Sequence, residues 1–392
     1  MDTRATGNNM ESIYLTEEHV ALRDQVARFI ANEVEPYGMA WEEQGFVPRD
    51  VLRKMGGLGF FGITYPAEFG GSEADLLTSL VFAEALSRST FGGFIVTALV
   101  HSDMASPHLV NAGSRAQIEK YLPSIISGER ITAVAVTEPD AGSDVAGIRT
   151  RARRDGTDWV LNGAKMFITN GVYADLYFVA ARTDPAAKGS RGISMFIVEK
   201  ATPGFRVGRA LNKTGWLSSD TAELVFEDCR LPVENLLGEE NAGFYAVMKN
   251  FQRERIAAAA MSVGNALTSL RLTIEYVKNR KAFGGVLFDK QVIRQRLAML
   301  QAKTHAARQF LYHCGWLAAQ NRDCVREVSM LKALTGELAN EVVYTCQQFH
   351  GGMGYMRESA NERQARDARV LAIGGGATEV MLEEVAKRFA PD

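Results

Sequence analysis

One segment contains residue types suited to contacting a polar ligand: residues 136–144, where an apolar run passes into a loop rich in hydroxyl groups, carboxylates and glycine. Thr137 and Ser143 can donate hydrogen bonds through their hydroxyl groups, and a loop of this kind can present its backbone N–H groups. Such a loop can bind a polar ring or a phosphate group. An ordinary solvent-facing turn has the same composition, so the residues alone leave both interpretations open.

The chain around this loop changes in character twice. Residues 15–126 show a helical pattern, with Thr16 placed to cap the first helix. From about Arg130, short β-branched and apolar runs predict strands at 131–137, 159–161, 165–169, 176–181, 193–198 and 222–226. Asn162-Gly163 predicts a tight hairpin turn between two of these strands. After Gly238, long amphipathic stretches predict helices at 243–280, 291–321 and 325–350.

The expected fold class is therefore α+β. A helical N-terminal domain (1–129) precedes a middle antiparallel β domain (130–240) and a C-terminal helical bundle (241–392). At 392 residues with 46% hydrophobic and 23% charged residues, the chain has the composition of a globular protein with a large core. Its net charge of -2 provides no global field that would attract nucleic acid or an acidic membrane surface.

Neither a disulfide framework nor a metal site is expected. The four cysteines are widely spaced without a CxxC pair, which fits a reducing compartment. His305, His313 and His350 lie on helical segments without metal-ligand spacing, so we interpret them as structural or surface residues. The first residues lack the apolar core of a signal peptide, and no run approaches the roughly 18 apolar residues of a membrane span. A cytoplasmic protein that does not enter the membrane is the expectation.

Five motifs resemble those of the acyl-CoA dehydrogenase family in order and spacing, over nearly the whole chain: residues 136–144, 165–170, 279–284, 348–355 and 366–369. The resemblance implies the three domains above, with a C-terminal four-helix bundle. It implies FAD between the middle and C-terminal domains and against a neighbouring subunit, hence a homotetramer built as a dimer of dimers. It also implies an acyl-CoA substrate and an electron-transfer flavoprotein as electron acceptor.

By the same resemblance, Thr137 and Ser143 would contact the flavin or the phosphate-bearing arm of the substrate. Phe167 and Thr169 would flank the isoalloxazine ring, with Phe167 where tryptophan is frequent in the family. Further FAD contacts, several across the dimer interface, would come from Arg280, Phe283, Gln291, Gln348, Gly351 and Gly352. A helix-end charge for Arg280 and a helix stop at Gly351-Gly352 are the competing interpretations.

The reaction implied is removal of a proton from the α carbon and transfer of a hydride from the β carbon to flavin N5, which gives a trans-2-enoyl-CoA. Water exclusion raises the pKa of a carboxylate toward the value a base for this proton needs, so an acid in an apolar tunnel is expected. Many family members place this glutamate where the chain has Gly375. A second subgroup, resembling isovaleryl-CoA and long-chain enzymes, places it before an arginine on a C-terminal-domain helix. Glu254 matches that position, although a surface ion pair with Arg253 or Arg255 is the alternative.

The remaining site residues follow from the same comparison. Phe251, Arg255 and Gly376 would contact the substrate, together with Ser143. Gly375 would donate its backbone N–H to the thioester oxygen and, with a ribityl hydroxyl of the flavin, stabilise the enolate. Thr378 and Glu379 would lie near FAD, and Ala377 stands where a threonine often follows, so a flavin contact there is lost or passes to Thr378.

Medium-to-long or methyl-branched acyl chains are the expected substrates. The small residues Gly92-Gly93 and Thr97-Ala98 fit either a roomy acyl tunnel or close helix packing. Two other functions compete: a flavin-dependent oxidase or monooxygenase on the same scaffold, and a catalytically silent acyl-CoA-binding protein. Rapid peroxide formation would identify the oxidase, and a chain that cannot be reconstituted with FAD would identify the silent protein.

Overall fold

The N-terminal region is helical. A computed structural model describes residues 12–187 and 189–389. The helices of this region are α1 (Glu17–Phe29), α2 (Gly38–Gln44), α3 (Arg49–Gly57), α4 (Leu76–Leu86), α5 (Gly92–Leu99), α6 (Pro107–Ala112) and α7 (Arg115–Ile126). Short π-helical turns extend α1 and α5. The expected cap is confirmed, because the Thr16 hydroxyl accepts the His19 N–H while the His19 ring accepts the Thr16 N–H.

The middle region is a sheet of eight strands: β1 (Thr132–Ala135), β2 (Arg151–Asp155), β3 (Asp158–Thr169), β4 (Leu176–Arg182), β5 (Ile193–Glu199), β6 (Phe205–Ala210), β7 (Thr221–Pro232) and β8 (Leu236–Leu237). The strand order is β6-β7-β3-β2-β4-β5-β8, and β1 pairs with β4. The pairing is antiparallel except that β1 and β2 both run parallel to β4. Sequence patterns missed β2, β6 and β8. Strands β2 and β6 contain polar and charged residues without a clear apolar alternation, and β8 is only two residues long.

The predicted hairpin turn at Asn162-Gly163 is wrong. Both residues lie inside β3, which continues through them and pairs with β2 on one side and β7 on the other. Gly163 has φ +148, and a Cβ there would collide with Thr150. The glycine therefore serves a register shift and a close backbone approach within the strand, and the turn lies earlier, around Gly156.

The C-terminal region is again helical. It contains α8 (Gly243–Asn279), α9 (Gln291–Ala319), α10 (Val325–His350), α11 (Ala360–Ala368) and α12 (Thr378–Ala386). A small hairpin of β9 (Lys281–Ala282) and β10 (Gly285–Val286) lies between α8 and α9. Helices α8, α9 and α10 pack against each other, α12 packs on α10, and α4 of the N-terminal region packs on α8 and α9. The long helices begin and end within a few residues of the predicted bounds.

Buried apolar side chains form two clusters. The larger cluster joins the two helical regions and reaches one face of the sheet. The smaller cluster lies on the other side of the sheet, around Trp159, Tyr177 and Phe196. In the described part of the chain, no helix combines the length and the apolar character needed to cross a membrane.

A buried ion cluster fixes α4 against α9. Glu84 is fully buried on α4, where its Oε1 accepts a hydrogen bond from Arg88 at 2.7 Å. Its Oε2 accepts from Arg308 of α9 at 3.0 Å and from the Tyr312 hydroxyl. Burial alone would raise the pKa of Glu84, but the charges of Arg88 and Arg308 and the Tyr312 hydrogen bond lower it to about 2.

Glu84→Gln is expected to destabilise the fold by about 3–5 kcal/mol, because it leaves the buried Arg308 without its counter-charge. Because the pKa of Glu84 is lowered in the folded state, its stabilisation is present above the ordinary value of 4.5 and is lost as the pH falls toward about 2. The variant should therefore lose this part of the acid dependence. Urea unfolding at neutral and at acidic pH measures both effects.

The matched control is Glu341→Gln. Glu341 also bridges two helices, accepting from Arg296 and Lys303 of α9, but at the surface. Its loss should cost less than about 1 kcal/mol. Equal losses in the two variants would contradict the role given to the Glu84 cluster.

Candidate active site

A buried carboxylate organises the loop after β1. Glu138 accepts hydrogen bonds from Lys165 Nζ at 2.7 Å, from the Thr150 N–H at 2.9 Å and from the Arg149 N–H at 2.6 Å. Burial alone would raise the pKa of Glu138, but the Lys165 charge and these hydrogen bonds lower it. The loop is thus pinned to β3. Thr137 is half-buried at its start, and Ser143 is exposed beyond the turn.

Two exposed phenylalanines have backbone conformations that are unusual for their residue type. Phe167 on β3 has φ +62 and is 67% exposed, and it lies where the register between β3 and β7 shifts. Phe283 forms the tip of the β9–β10 hairpin with φ +50 and is 89% exposed. Positive φ at a bulky residue is strained and concentrates at functional positions. Both rings can therefore cover an apolar or aromatic ligand.

The strand carrying Phe167 lies directly beside the loop after β1. The Met166 N–H donates to the Thr137 carbonyl at 2.9 Å, which brings Thr137 next to Phe167 in space. Thr169 follows, half-buried, at the end of β3. Asn170 then ties this strand end to the N-terminal helices, because its amide donates to the Thr97 carbonyl at 3.1 Å.

An open groove of about 540 Å³ lies at the C-terminal end of α8. Arg280, the C-cap residue of α8, lines it together with Tyr276 and His350, whose rings stack at 4.2 Å. Gly351 ends α10 with φ +59. The helix-end interpretations of Arg280 and of Gly351 thus describe their backbone positions, and Arg280 also borders an exposed groove. The other residues predicted for this region are exposed: Gln291 at the start of α9, Gln348 near the end of α10, and Gly352.

Glu254 lies inside the protein on α8, with its side chain 11% exposed. Its Oε1 accepts a hydrogen bond from the Asn250 amide at 3.3 Å, and Nε2 of the buried His108 lies 3.9 Å away. Arg253 instead pairs with Asp103 at 2.9 Å. Among the described residues, the Nε of the buried Arg255 has no hydrogen-bond partner. The surface ion-pair interpretation of Glu254 therefore does not describe its surroundings.

The glycine turn before α12 has the geometry that only glycine adopts freely. Gly375 has φ +64 and Gly376 has φ +104, and Gly376 packs against Met381. The Gly376 carbonyl accepts a hydrogen bond from the buried Lys332 of α10. The Thr378 hydroxyl donates to Glu337 at 2.7 Å, and Glu379 is exposed in the first turn of α12.

The paired glycines of α5 prove to be packing positions. A Cβ at Gly92 would collide with Asp367, and one at Gly93 would collide with Ser218. Close contact with the other two regions of the chain therefore requires these glycines. Thr97, one turn further, differs because it lines a cavity of about 190 Å³, and its buried hydroxyl has no partner in the described part of the chain.

The structure also shows the surroundings of the cysteines and histidines. All four cysteines, Cys229, Cys314, Cys324 and Cys346, are buried with free thiols. The described residues contain no group of three or more side chains able to hold a metal ion. His350 hydrogen-bonds to the Cys346 carbonyl at 2.9 Å, and His313 to the Tyr14 hydroxyl at 2.9 Å.

Comparison with known proteins identifies the family to which this chain belongs. Family profiles described as the N-terminal, middle and C-terminal domains of acyl-CoA dehydrogenase match residues 16–129, 133–229 and 241–390. This chain belongs to the acyl-CoA dehydrogenase family. It is 42% identical over 380 residues to the mitochondrial long-chain specific acyl-CoA dehydrogenase of Mus musculus, covering 96% of this chain and 87% of that protein.

Two further comparisons give the same family. The mitochondrial isovaleryl-CoA dehydrogenase of Pongo abelii is 36% identical over 381 residues, which cover 96% of this chain and 90% of that protein. The crystal structure of a probable acyl-CoA dehydrogenase from Mycobacterium abscessus superposes with a TM-score of 0.93 at 40% identity. That match covers 96% of this chain and 100% of the other. The predicted three-domain fold is therefore confirmed.

Acyl-CoA dehydrogenases are FAD-dependent oxidoreductases that act on CH–CH groups. The residues of this chain fit that cofactor. The exposed ring of Phe167 and the neighbouring hydroxyls of Thr137 and Thr169 offer an apolar face with polar groups beside it, as an isoalloxazine ring requires. Arg280, at the 540 Å³ groove, offers a cation suited to a pyrophosphate.

Several residues that shape this dehydrogenase site were missed by sequence reasoning. They are Glu138, Lys165, His108, Asn250, Lys332 and Asp367. Glu138 and Lys165 lie within the recognised motifs, next to Thr137 and near Phe167. The presence of one acid and one base in these two motifs was a signal from which their pairing could have been predicted. The partners of His108 and Lys332 are distant in sequence, so no spacing rule could have found them. Asn250 lies one helical turn before Glu254, so the i,i+4 spacing on α8 was an available signal.

Lys165→Met is expected to weaken FAD binding at least about tenfold, because it leaves Glu138 as a buried carboxylate without its cation and loosens the loop at Thr137. FAD content after gel filtration and the FAD dissociation constant measure the effect. Lys200→Met is the control, since Lys200 is an exposed lysine at the end of β5 whose Nζ donates to the Val172 carbonyl. Unchanged FAD affinity in a folded Lys165→Met protein would contradict the prediction.

Proposed function

We propose that this acyl-CoA dehydrogenase oxidises medium-to-long or methyl-branched acyl-CoA thioesters to trans-2-enoyl-CoA, with Glu254 as the base for the α proton. The observation that supports this proposal most directly is the position of Glu254. It is a buried carboxylate that forms no salt bridge with either flanking arginine and accepts a hydrogen bond from one neutral amide donor. A carboxylate in such surroundings can accept a proton from a substrate inserted beside α8.

The alternatives to Glu254 near the site are weaker. Gly375 occupies the position at which many relatives carry the base, and the turn from Ile373 to Ala377 contains no carboxylate. Glu379 is exposed at the N-terminal end of α12, where water reaches it. An exposed acid lacks the water exclusion that makes a carboxylate useful for this proton.

The chain's own residues would divide the reaction between them. The Asn250 amide orients the Glu254 carboxylate, which takes the α proton. The Gly375 N–H, in a turn without side chains, donates to the thioester oxygen and stabilises the negative charge that develops there. Phe251 and Arg255 contact the substrate, as does Gly376, while Phe167 and Thr169 position the flavin. When bound, FAD supplies the acceptor for the hydride that leaves the β carbon.

The substrate class rests on two kinds of support. A base on the C-terminal-domain helix is the feature by which the sequence resembles long-chain and isovaleryl-CoA enzymes, and relatives with those two names match over nearly the whole chain. The glycine turn leaves room for substituents close to the reacting carbons, since no side chain projects from it. Straight long chains and methyl-branched chains are both compatible with these features.

Anaerobic mixing of the FAD-loaded protein with a panel of straight and methyl-branched acyl-CoAs tests the function. Rapid flavin bleaching by one class is the expected result and identifies the substrate group. Absence of flavin bleaching with every acyl-CoA of the panel would contradict the proposal. Reduced flavin that decays slowly in air and faster with electron-transfer flavoprotein supports a dehydrogenase over an oxidase, whereas rapid peroxide formation supports the oxidase.

Glu254→Gln is expected to bind FAD and acyl-CoA normally but to reduce the flavin at least about 1,000-fold more slowly, because the amide cannot take the α proton. Stopped-flow flavin absorbance gives the rate, and titration of the flavin spectrum gives acyl-CoA affinity. Glu379→Gln serves as the matched control and should react at nearly the wild-type rate. Loss of reduction in the control with normal reduction in Glu254→Gln would transfer the role to Glu379.

We also propose a homotetramer in which FAD is completed across a subunit interface. The support is the exposure of two large apolar side chains, Phe283 at 89% and Tyr355 at 79%, with Phe283 only three residues after Arg280 of the groove. Such side chains are usually covered in a stable protein. Packing of a second copy over them would bury the flavin's dinucleotide arm beside Arg280.

Arg280→Ala is expected to lower FAD content several-fold and to shift the tetramer toward smaller species, since one side chain serves both contacts. Sedimentation velocity and the ratio of flavin to protein absorbance measure the two effects together. The control is Arg271→Ala, which removes an exposed arginine of α8 nine residues before Arg280. Full flavin content in a stable Arg280→Ala tetramer would contradict the proposal.

A further inference from the structure

Lys332 is an almost fully buried lysine whose role the reaction outlined above leaves open. It lies in the second turn of α10 and is 1% exposed. In the described part of the chain its Nζ donates one hydrogen bond, to the carbonyl of Gly376 in the glycine turn. An ammonium group has three donors, so most of its hydrogen-bonding capacity is unused.

A second buried cation lies close enough for its charge to act on Lys332. Arg255 of α8 is 8% exposed, its Nε has no partner among the described residues, and burial lowers its pKa. Burial, followed by the charge of Arg255, lowers the pKa of Lys332 to about 8. Of the two carboxylates that act in the opposite direction, Glu337 accepts the Thr378 hydroxyl and Glu379 is exposed.

The charges of Glu384 and of the buried Glu254 act on Arg255, but in the described part of the chain neither Arg255 nor Lys332 forms a salt bridge. Buried cations without a directly paired anion destabilise the folded state unless a ligand supplies negative charge. The proposed acyl-CoA substrate develops negative charge on its thioester oxygen when the α proton leaves. Fixed positive groups aimed at such a position stabilise the transition state without having to reorganise during the reaction. The charges of Lys332 and Arg255 are thus suited to stabilising the negative charge on the thioester oxygen.

The turn itself needs an external support. Gly374, Gly375 and Gly376 carry no side chains, so they have more backbone freedom than any other residues, and nothing of their own fixes the direction of the Gly375 N–H. The Lys332 ammonium anchors the turn from α10 by binding its last glycine carbonyl. Met381 packs against the same residue from the other side.

We propose that Lys332 is a positioning residue of the reaction. By binding the Gly376 carbonyl it holds the glycine turn so that the Gly375 N–H meets the thioester oxygen, and its charge, with that of Arg255, stabilises the enolate. This inference rests on the proposed function, because it assigns the site an α-proton abstraction. It adds a residue that contacts neither substrate nor flavin.

Ionisation of a non-reducible substrate analogue tests the proposal. A 3-thia-acyl-CoA, with sulfur in place of the β carbon, cannot lose a hydride but has an acidic α proton. Its bound enolate beside oxidised flavin gives a long-wavelength charge-transfer band. Titration of this band with pH in the FAD-loaded protein gives the apparent pKa of the bound analogue, which reports enolate stabilisation independently of turnover.

Lys332→Met removes the charge and the donor at similar length. We expect the fraction of ionised analogue at a given pH to fall at least about tenfold and flavin reduction by substrate to slow by about 10- to 100-fold. Analogue affinity should change less than about threefold. Lys332→Arg, which keeps charge and donors, should recover most of the band. Thr335→Val, a loss of a buried hydrogen bond one turn along α10, should behave as wild type.

Unchanged analogue ionisation in Lys332→Met would overturn the proposal, as would an equal change in Thr335→Val, which would indicate general damage to α10. If Lys332→Met does not retain FAD, Lys332→Gln replaces it with the same two outcomes. The behaviour of the wild-type protein distinguishes failure of the proposed function from failure of the role given to Lys332. Absence of both the band and flavin bleaching in wild type removes the proposed function, whereas a normal wild type with a normal Lys332→Met removes only the role of Lys332.

Discussion

The three regions of the chain are joined at one buried carboxylate, and the active-site geometry depends on that junction. Asp367 of α11 accepts the Gly92 N–H of α5 at 3.0 Å and the Trp216 N–H from the segment before β7 at 2.5 Å. Gly92 and Gly215 lack the side chains that would collide with it. Two peptide N–H groups from different regions satisfy both oxygens of one buried acid, so a shift of either region would leave a buried polar atom unpaired.

Much of the fold could be predicted because its signals are local. The 3.6-residue apolar period located α8, α9 and α10, and Thr16 marked the start of α1, since capping and periodicity involve neighbours a turn apart. Prediction failed where long-range pairing overrides a local signal. Asn162-Gly163 is a turn signal in isolation, but β2 and β7 flank it on both sides and keep it in a strand. The glycines at 92–93 were ambiguous for the same reason, because the atoms that exclude a Cβ there belong to residues more than a hundred positions away.

The candidate site likewise contains residues that could be predicted from local sequence and contacts that could not. The motif residues around Thr137, Phe167 and Arg280 could be placed from the sequence because each motif is a continuous segment. The choice of Glu254 also came from a continuous segment, combined with the glycine at 375. What spacing could not supply is the support of these residues. Lys332 reaches a carbonyl 44 residues further on, and Asn250 ties the Glu254 helix to the Met104 carbonyl 146 residues earlier. Such contacts arise only after helices from separate regions have packed.

Helix geometry explains how three consecutive charged residues acquire three different environments. Successive residues of an α-helix project about 100° apart, so neighbours in sequence do not face one another. Arg253 turns toward the N-terminal helices and pairs with Asp103, while Glu254 projects toward Asn250 and His108. Arg255 faces α10 and α12, where the Lys332 charge lies. The helix therefore keeps Glu254 out of salt bridges with the two arginines beside it in sequence, although its charge still acts on Arg255. A base and an oxyanion site require this separation, because a carboxylate that is already neutralised by a cation is a poor proton acceptor.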